Sequence, residues 1–229
     1  MSESYRKTVI IIPAYNEEEI IVPCIEQLPK DLDILVVNNG STDETANRVR
    51  STRAHLLHES RMGYGQAIWS GIIEGIRLGY TYGIVFDADA SNDPNDIHTI
   101  LEPIWKGTHD LTLAQRTKHA EPGSLTPQQI FGNALSVKII RIITGYTYSD
   151  LGSMRAFDLR RLRALQLEDR DYGWNIEMQI KAVRAGWRIL EFELPYRNRL
   201  GGASKISGSM QGSIKAGIKI LATAARYAR

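Results

Sequence analysis

The chain has 229 residues, of which 43% are hydrophobic and 24% charged, a balance typical of a globular protein with a full core. The formal net charge of +2 does not indicate nucleic-acid binding, and the single cysteine, Cys24, excludes an internal disulfide and fits a reducing compartment. The N-terminus lacks the pattern of a signal peptide, and no run approaches the ~20 apolar residues that span a bilayer. We therefore expect a cytoplasmic protein, with peripheral contact to the inner face of a membrane left open.

Strand and helix patterns alternate four times in the first half of the chain. Apolar runs that are each followed by a helical pattern predict strands at residues 8–12, 33–37, 55–58 and 83–86. This alternation is typical of a parallel sheet with right-handed crossovers. Asn16 is a candidate cap for the first helix, and Ser41 or Thr42 for the second. Neither a G-x-G-x-x-G nor a P-loop motif occurs, which disfavours dinucleotide-binding and P-loop proteins.

Two carboxylates, Asp87 and Asp89, follow the fourth strand one residue apart. Open α/β sheets bind their ligands at the carboxyl ends of the strands. Two unpaired carboxylates there would repel each other, so we expect a cation between them. Mg²⁺ or Mn²⁺, with oxygen ligands from water and a substrate phosphate, suits the pair. The alternative is a pair of solvated turn aspartates.

The second half changes character. Its patterns predict strands at 110–114 and 188–194, a short strand within 149–157, and helices at 127–143, 172–185 and 208–229. The last helix places Ile214, Ile218 and Leu221 on one stripe beside Lys215 and Lys219. Such a basic amphipathic helix could lie on an anionic membrane or pack on its own domain, and the sequence leaves both open.

Four short motifs stand in order on the predicted strand ends and loops: Pro-Ala-Tyr-Asn-Glu at 13–17, Asn-Asn-Gly-Ser-Thr-Asp at 38–43, Asp-Ala-Asp at 87–89 with Pro94, and a basic glycine-rich segment at 199–205. Through them the chain resembles the family 2 glycosyltransferases, and most of all the dolichyl- or polyprenyl-phosphate sugar transferases, such as the dolichol-phosphate mannose and glucose synthases. The resemblance runs from Pro13 to Lys205.

The resemblance implies an α/β, Rossmann-like GT-A fold in a single domain over residues 1–229, with a mainly parallel sheet flanked by helices. Residues 1–115 would form the nucleotide-sugar-binding half and 116–206 the acceptor-side half, followed by the C-terminal amphipathic helix at 207–229. The implied activity is inverting transfer of a sugar from a nucleotide-diphosphate donor, assisted by Mg²⁺ or Mn²⁺.

The donor residues are carried over from the family motifs. Asp89 would be the direct metal ligand and a catalytic residue, with Asp87 contacting the ribose or a metal-bound water. Gly63 and Gly65 would let the backbone approach the nucleotide. The remaining donor-binding residues would be Pro13, Ala14, Tyr15, Glu17, Asn38, Asn39 and Ala88.

Asn38 and Asn39 depart from the family, which more often has two aspartates here. An asparagine both donates and accepts hydrogen bonds, so Asn39 could pair with uracil, whereas guanine suits a carboxylate. This favours UDP over GDP. Equally, either residue could simply serve the turn.

The expected acceptor residues lie in the second half. Asp150 is the candidate base or acceptor orienter, and a turn aspartate is the alternative. A polyprenyl phosphate is already anionic and mainly needs cations, for which Arg116, Arg199 and Lys205 match family positions, with Ser204 of the same segment as a further acceptor-binding residue. Residues 126–129 are neutral where many lipid-phosphate relatives carry arginine. Glu177 matches an acceptor-side glutamate, or it pairs with Lys181 or Arg184 on its own helix.

The expected activity is therefore transfer of a sugar to a polyprenyl or dolichyl phosphate. The first alternative is transfer to a hydroxyl of a saccharide or small molecule, which would depend on Asp150. A nucleotidyltransferase is disfavoured because its glycine-rich loop is absent. A third alternative is a non-catalytic nucleotide-binding protein, against which the acidic pair and the basic segment argue. An oligomer remains open.

Overall fold

The computed structural model describes residues 7–199, together with Gly201, Lys219, Ala222, Thr223, Arg226 and Tyr227. Seven strands of this part of the chain form one sheet. The strands are β1 (Thr8–Ala14), β2 (Asp33–Asn38), β3 (His55–His58), β4 (Tyr82–Val85), β5 (Leu111–Gln115), β6 (Arg155–Asp158) and β7 (Ile189–Glu193).

The strands lie in the order β3-β2-β1-β4-β6-β5-β7. Four neighbouring pairs are parallel, namely β1 with β2 and β4, β2 with β3, and β5 with β7. Only β6 runs against its two neighbours, β4 and β5. The predicted mainly parallel α/β sheet is confirmed, and both halves of the chain contribute strands to it.

Helices cover both faces of the sheet. They are α1 (Ile21–Gln27), α2 (Thr45–Arg50), α3 (Tyr64–Arg77), α4 (Ile97–Trp105), α5 (Pro127–Thr144), α6 (Leu159–Ala164) and α7 (Trp174–Arg184). Alternate residues of β1 enter two separate apolar clusters: Val9 and Ile11 belong to one, and Ile10 and Ile12 to the other. Because successive side chains of a strand point to opposite faces, each cluster is the core on one face of the sheet.

The predicted helix caps are wrong. Helix α1 begins at Ile21 without a side-chain cap, and Asn16 lies before it with a φ of 53°. The backbone N–H of Asn16 donates to the Ser41 hydroxyl at 3.0 Å, and its side-chain oxygen accepts from the backbone N–H of Thr42 at 2.8 Å. These residues therefore join the loops after β1 and β2, because the two parallel strands end at the same edge of the sheet.

The C-terminal helix was predicted over 207–229, and most of that range, including the stripe Ile214, Ile218 and Leu221, lies outside the described residues. Lys219, Ala222, Thr223 and Arg226 are helical. Thr223 is buried, and its hydroxyl donates to Asp169 at 2.7 Å. Among the described residues of this end of the chain, Thr223 is thus bonded to the body of the domain. No helix in the described part of the chain is long and apolar enough to cross a membrane.

Candidate active site

A cavity of about 1020 Å³ opens beyond the carboxyl ends of β1 and β4. Eleven of the residues predicted for the site line this cavity: Pro13, Ala14, Tyr15, Glu17, Asn39, Gly63, Asp87, Ala88, Asp89, Arg116 and Arg199. Parallel strands bring their carboxyl ends to one edge, so motifs far apart in the sequence meet there. The functions predicted for these residues stay predictions.

The acidic pair lies directly after β4. One oxygen of Asp89, Oδ1, accepts from the backbone N–H of Ser91 at 3.0 Å and from its hydroxyl at 2.6 Å, which fixes the turn. Burial, and then the neighbouring charge of Asp89, raises the pKa of Asp87 to about 6. A raised pKa at an acidic pair is the electrostatic condition that a bound cation relieves.

Arg199 approaches the Asp89 side of this pair. Its guanidinium lies 3.6 Å from Oδ2 of Asp89 and 3.5 Å from Oε1 of Glu17. These distances are longer than direct charge-assisted hydrogen bonds. The carboxylates of Asp87 and Asp89 therefore fit a divalent cation with oxygen ligands. No group of three or more candidate ligand side chains occurs within the described residues, so a metal here would need further ligands from water and a bound phosphate.

The side-chain amide of Asn39 forms hydrogen bonds with backbone groups of the protein. Its nitrogen donates to the carbonyls of Glu59 at 3.2 Å and Arg61 at 2.7 Å, and its oxygen accepts from the N–H of Gly63 at 2.9 Å. In this arrangement the amide holds the connection between β3 and α3 rather than a base. Asn38 lies behind the cavity lining, with its nitrogen 3.3 Å from Nδ1 of His58.

The two glycines allow the close approach of protein backbone. A Cβ on Gly63, whose φ is 142°, would lie 2.3 Å from the carbonyl oxygen of Arg170. A Cβ on Gly65 would lie 2.9 Å from the carbonyl oxygen of Asp169 and 2.8 Å from Cβ of Trp174. Gly63 lines the cavity, but Gly65 packs against the loop before α7. Gly65 therefore allows close packing of the protein's own backbone, whereas it was predicted to allow the close approach of a nucleotide.

Arg116 and Asp150 form a bidentate pair at the cavity wall. Nε and Nη2 of Arg116 donate to Oδ2 and Oδ1 of Asp150 at 2.8 and 2.9 Å, and the Arg116 backbone N–H donates to Oδ2 at 2.8 Å. Burial alone would lower the pKa of Arg116, but Asp150 raises it. Arg116 lines the cavity. Asp150 is only 1% exposed and is not among the described residues that line the cavity. Asp150 thus positions Arg116, and both of its carboxylate oxygens are engaged.

Glu177 lies outside the cavity lining described here and is fully buried. Its carboxylate accepts from the backbone N–H groups of Glu168 and Asp169, lies 2.9 Å from Nζ of Lys181, and accepts from the Tyr227 hydroxyl at 2.7 Å. This geometry matches the helix-pairing alternative rather than an acceptor contact. Ser204 and Lys205 lie outside the described residues.

Two walls of the cavity, one around the start of α7 and one formed by α5, were not predicted from the sequence. Asp171 and Tyr172, just before α7, and Asn175, in its first turn, line the cavity. Burial, and then the charge of Asp169, raises the pKa of Asp171. In the sequence, Gly63 and Gly65 were the features that could have indicated the wall near α7, because the backbone of Asp169 and Arg170 packs closely against them. Tyr196, another lining residue that was not predicted, lies with its ring centroid 5.6 Å from the Arg116 guanidinium.

An open α/β sheet with an acidic pair and the arginines Arg116 and Arg199 at its carboxyl edge is the architecture expected of a GT-A glycosyltransferase. The family model "Glycosyl transferase family 2" matches residues 9–163. The chain therefore belongs to this family, and it is a glycosyltransferase.

The relatives agree with this assignment. An uncharacterised glycosyltransferase of Mycobacterium tuberculosis is 33% identical over 90% of this chain and 92% of its own. The undecaprenyl-phosphate mannosyltransferase of Micrococcus luteus is 30% identical over 96% of each chain. Glucosyl-3-phosphoglycerate synthase from M. tuberculosis, solved with Mn²⁺, UDP and its product, superposes with a TM-score of 0.76 at 18% identity, covering 96% of this chain and 79% of that one. The structural likeness confirms the expected fold.

Proposed function

We propose that the chain transfers a sugar, with inversion, from a nucleotide-diphosphate donor to a polyprenyl phosphate. The observation that carries this proposal is the pair of Arg116 and Asp150: Arg116 lines the cavity, whereas Asp150 is buried outside the lining with both carboxylate oxygens bonded to Arg116. An acceptor that is already anionic needs a cation to hold it and no base to activate it.

The donor end would be the acidic pair. Asp89 and Asp87 would hold Mg²⁺ or Mn²⁺ against the diphosphate of the donor, and such an ion neutralises charge on the leaving group. The two carboxylates alone make an incomplete ligand set among the described residues, so the nucleotide would complete it. Metal and donor should therefore bind together.

The acceptor end would be the part of the cavity wall that carries Arg116. Nε and Nη2 of Arg116 are held by Asp150, and Nη1 takes no part in that pair, which leaves it to contact an acceptor phosphate. An acceptor phosphate oxygen would attack the anomeric carbon from the face opposite the departing nucleoside diphosphate. The new bond forms to that oxygen as the bond to the diphosphate breaks, so no proton has to be removed.

UDP is favoured over GDP as the nucleotide. Asn39 is engaged with backbone groups, which weakens the case for its pairing with uracil. The preference for UDP is supported instead by the UDP bound in the solved relative. The lipid-phosphate acceptor is supported by the undecaprenyl-phosphate mannosyltransferase, which matches this chain over nearly its whole length.

A hydroxyl acceptor is the second candidate, and Asp171 is the observation that favours it. Asp171 lines the cavity, and its raised pKa would make it a stronger base than an ordinary carboxylate. In this case a hydroxyl would lose its proton to Asp171 as it attacks. Asp171→Asn would then abolish turnover, whereas transfer to a lipid phosphate would tolerate it.

The test is nucleotide release from a panel of UDP- and GDP-sugars with Mn²⁺ or Mg²⁺. A short polyprenyl phosphate, soluble saccharides and no acceptor are compared. Asp89→Ala is the test variant, and Asp96→Ala, a partly buried carboxylate outside the cavity lining described here, is the matched control. Release that needs the metal, Asp89 and the lipid phosphate supports the proposal.

Two other results would reject it. Release stimulated only by hydroxyl acceptors, and lost in Asp171→Asn, would establish the second candidate. Nucleotide binding without release for every donor and acceptor would point to the non-catalytic alternative.

A further inference from the structure

Helix α5 carries an apolar outer face that is open to solvent. Phe131 is 71% exposed, Ile142 is 75% exposed and Ile130 is 51% exposed. Phe131, Ala134, Lys138 and Ile142 recur every three or four residues and are all exposed, so they share one side of the helix. Large apolar side chains this exposed on one helix indicate a contact surface.

The opposite side of the same helix forms a wall of the cavity. Gln129, Gly132, Asn133 and Ser136 line the cavity, and Ile140 continues this side into the core. The helix is held in place at its start by a capping box, in which Thr126 and Gln129 exchange hydrogen bonds of 3.2 and 2.8 Å. A surface that contacts the outer side of α5 would therefore lie one helix diameter from the cavity.

The charge of the outer face indicates what it contacts. Lys138 and Arg141 are exposed beside the apolar residues, and residues 127–144 contain no aspartate or glutamate. A second copy of the chain, packed across a two-fold axis, would bring the same cations together. An anionic lipid surface instead offers acyl chains to the apolar residues and phosphates to the cations.

We propose that the outer face of α5 (Ile130, Phe131, Lys138, Arg141 and Ile142) lies on an anionic membrane surface. The proposal rests on the proposed function, because a polyprenyl phosphate resides in a membrane. It gives the enzyme a membrane contact in the catalytic domain itself, beside the acceptor cavity. The C-terminal helix, for which the sequence left open a membrane contact or packing on its own domain, has its described residues Thr223 and Tyr227 bonded to the domain.

Vesicle flotation of the purified full chain tests the proposal. The vesicles are phosphatidylcholine alone or phosphatidylcholine with about 30% phosphatidylglycerol, whose negative surface potential attracts basic side chains. Phe131→Ser with Ile142→Ser should lower the partition onto anionic vesicles about tenfold, since each side chain buries apolar area in the lipid. Lys138→Gln with Arg141→Gln should remove the preference for anionic over neutral vesicles.

The matched control is Ile73→Ser with Leu78→Ser. These apolar residues are 37% and 41% exposed, near the end of α3, and their replacement should leave flotation unchanged. Far-UV circular dichroism and thermal unfolding check that each variant is folded. Because all four test positions are exposed, the variants should keep the fold of the parent chain.

Three results would overturn the proposal. The parent chain could fail to float with either vesicle, or float equally well after both pairs of α5 substitutions. Alternatively, sedimentation could show a dimer that Phe131→Ser dissociates while flotation is unchanged, which would assign the face to a second copy. Transfer to a short, water-soluble polyprenyl phosphate without vesicles tests the proposed function separately, because it requires no membrane surface.

Discussion

Asp150 holds Arg116 in a bidentate pair, with Nε to Oδ2 at 2.8 Å and Nη2 to Oδ1 at 2.9 Å, between residues 34 positions apart in the chain. The pair is nearly buried, with Asp150 1% and Arg116 17% exposed at their side chains. Such a pair fixes the direction of the arginine toward the cavity. It also makes Asp150 a positioning residue whose effect on the reaction passes through Arg116.

Removing one partner of this pair should cost more stability than removing both. Asp150→Ala leaves a buried guanidinium uncompensated, and we expect a loss of about 3 kcal/mol in the free energy of unfolding. Arg116→Met combined with Asp150→Leu should lose less, because no buried charge is left behind. Urea unfolding measures both, and an equal loss in the two variants would contradict the account.

The same pair predicts a kinetic signature. If Asp150 acts only through Arg116, then Asp150→Asn and Arg116→Gln should each raise KM for the acceptor about tenfold, and the double variant should be little worse than either alone. The pH profile of kcat should keep its shape in Asp150→Asn. Loss of the acidic limb of that profile, where activity falls as a base becomes protonated, with KM unchanged, would instead identify Asp150 as the base.

Asp87 predicts a dependence of stability on pH. Its folded pKa of about 6 exceeds the ordinary value of 3.8, so between these values the folded chain binds more protons than the unfolded chain. The free energy of unfolding of the metal-free protein should therefore fall as pH rises from about 4 to 6, by at most about 3 kcal/mol. Asp87→Asn should flatten this window, as measured by denaturant unfolding at several pH values.

Metal binding should show the opposite trend. A divalent cation needs the ionised form of Asp87, so the affinity for Mn²⁺ in the presence of UDP should rise with pH up to about 6 and then level off. Without UDP the affinity should be at least tenfold weaker, because two carboxylates alone coordinate the ion poorly. Calorimetric titration with and without UDP measures both effects, and tight binding of Mn²⁺ alone would contradict the incomplete ligand set.

Asn39→Asp should separate turn stability from base recognition. An aspartate cannot donate to the carbonyls of Glu59 and Arg61, so we expect a loss of about 1–3 kcal/mol in the free energy of unfolding. Asn95→Asp is the matched control at an exposed position, where the side chain donates one hydrogen bond, to Asp93 at 3.0 Å, and we expect a smaller loss because solvent screens and replaces that contact. The ratio of UDP to GDP affinity should stay constant in Asn39→Asp, and a shift toward GDP would revive base pairing by this residue.

Gly65→Ala tests the packing of the α7 loop on α3. The added Cβ would meet backbone atoms of Asp169 and Arg170 at 2.9 Å, so we expect a loss of about 2 kcal/mol from overpacking. Gly132→Ala, on α5, is the contrasting control, because its Cβ would meet nothing within 4 Å. That change should raise stability by about 0.5–1 kcal/mol. Thermal unfolding of the two variants should therefore shift in opposite directions.

The positions of the strands could be predicted from the sequence wherever a strand consists of a continuous apolar run. The strands β1, β2, β3 and β4 lie within about two residues of their predicted places. The short strand predicted within 149–157 corresponds to β6 (Arg155–Asp158), but its place in the sheet did not follow from the sequence, because it pairs antiparallel with the distant segments Tyr82–Val85 and Leu111–Leu113. Helix α6, only six residues long, was missed because its helical pattern is too short to stand out.

The sequence by itself determined which motifs stand at the carboxyl edge of the sheet, because apolar runs place the strand ends and the polar residues directly follow them. Only the tertiary structure decided what those polar residues contact. Asp150 meets Arg116, Glu177 meets Tyr227 fifty positions away, and Asn39 meets the backbone after β3. A buried polar atom must find a partner wherever the fold supplies one, and such partners are distant in the chain, so local patterns cannot name them.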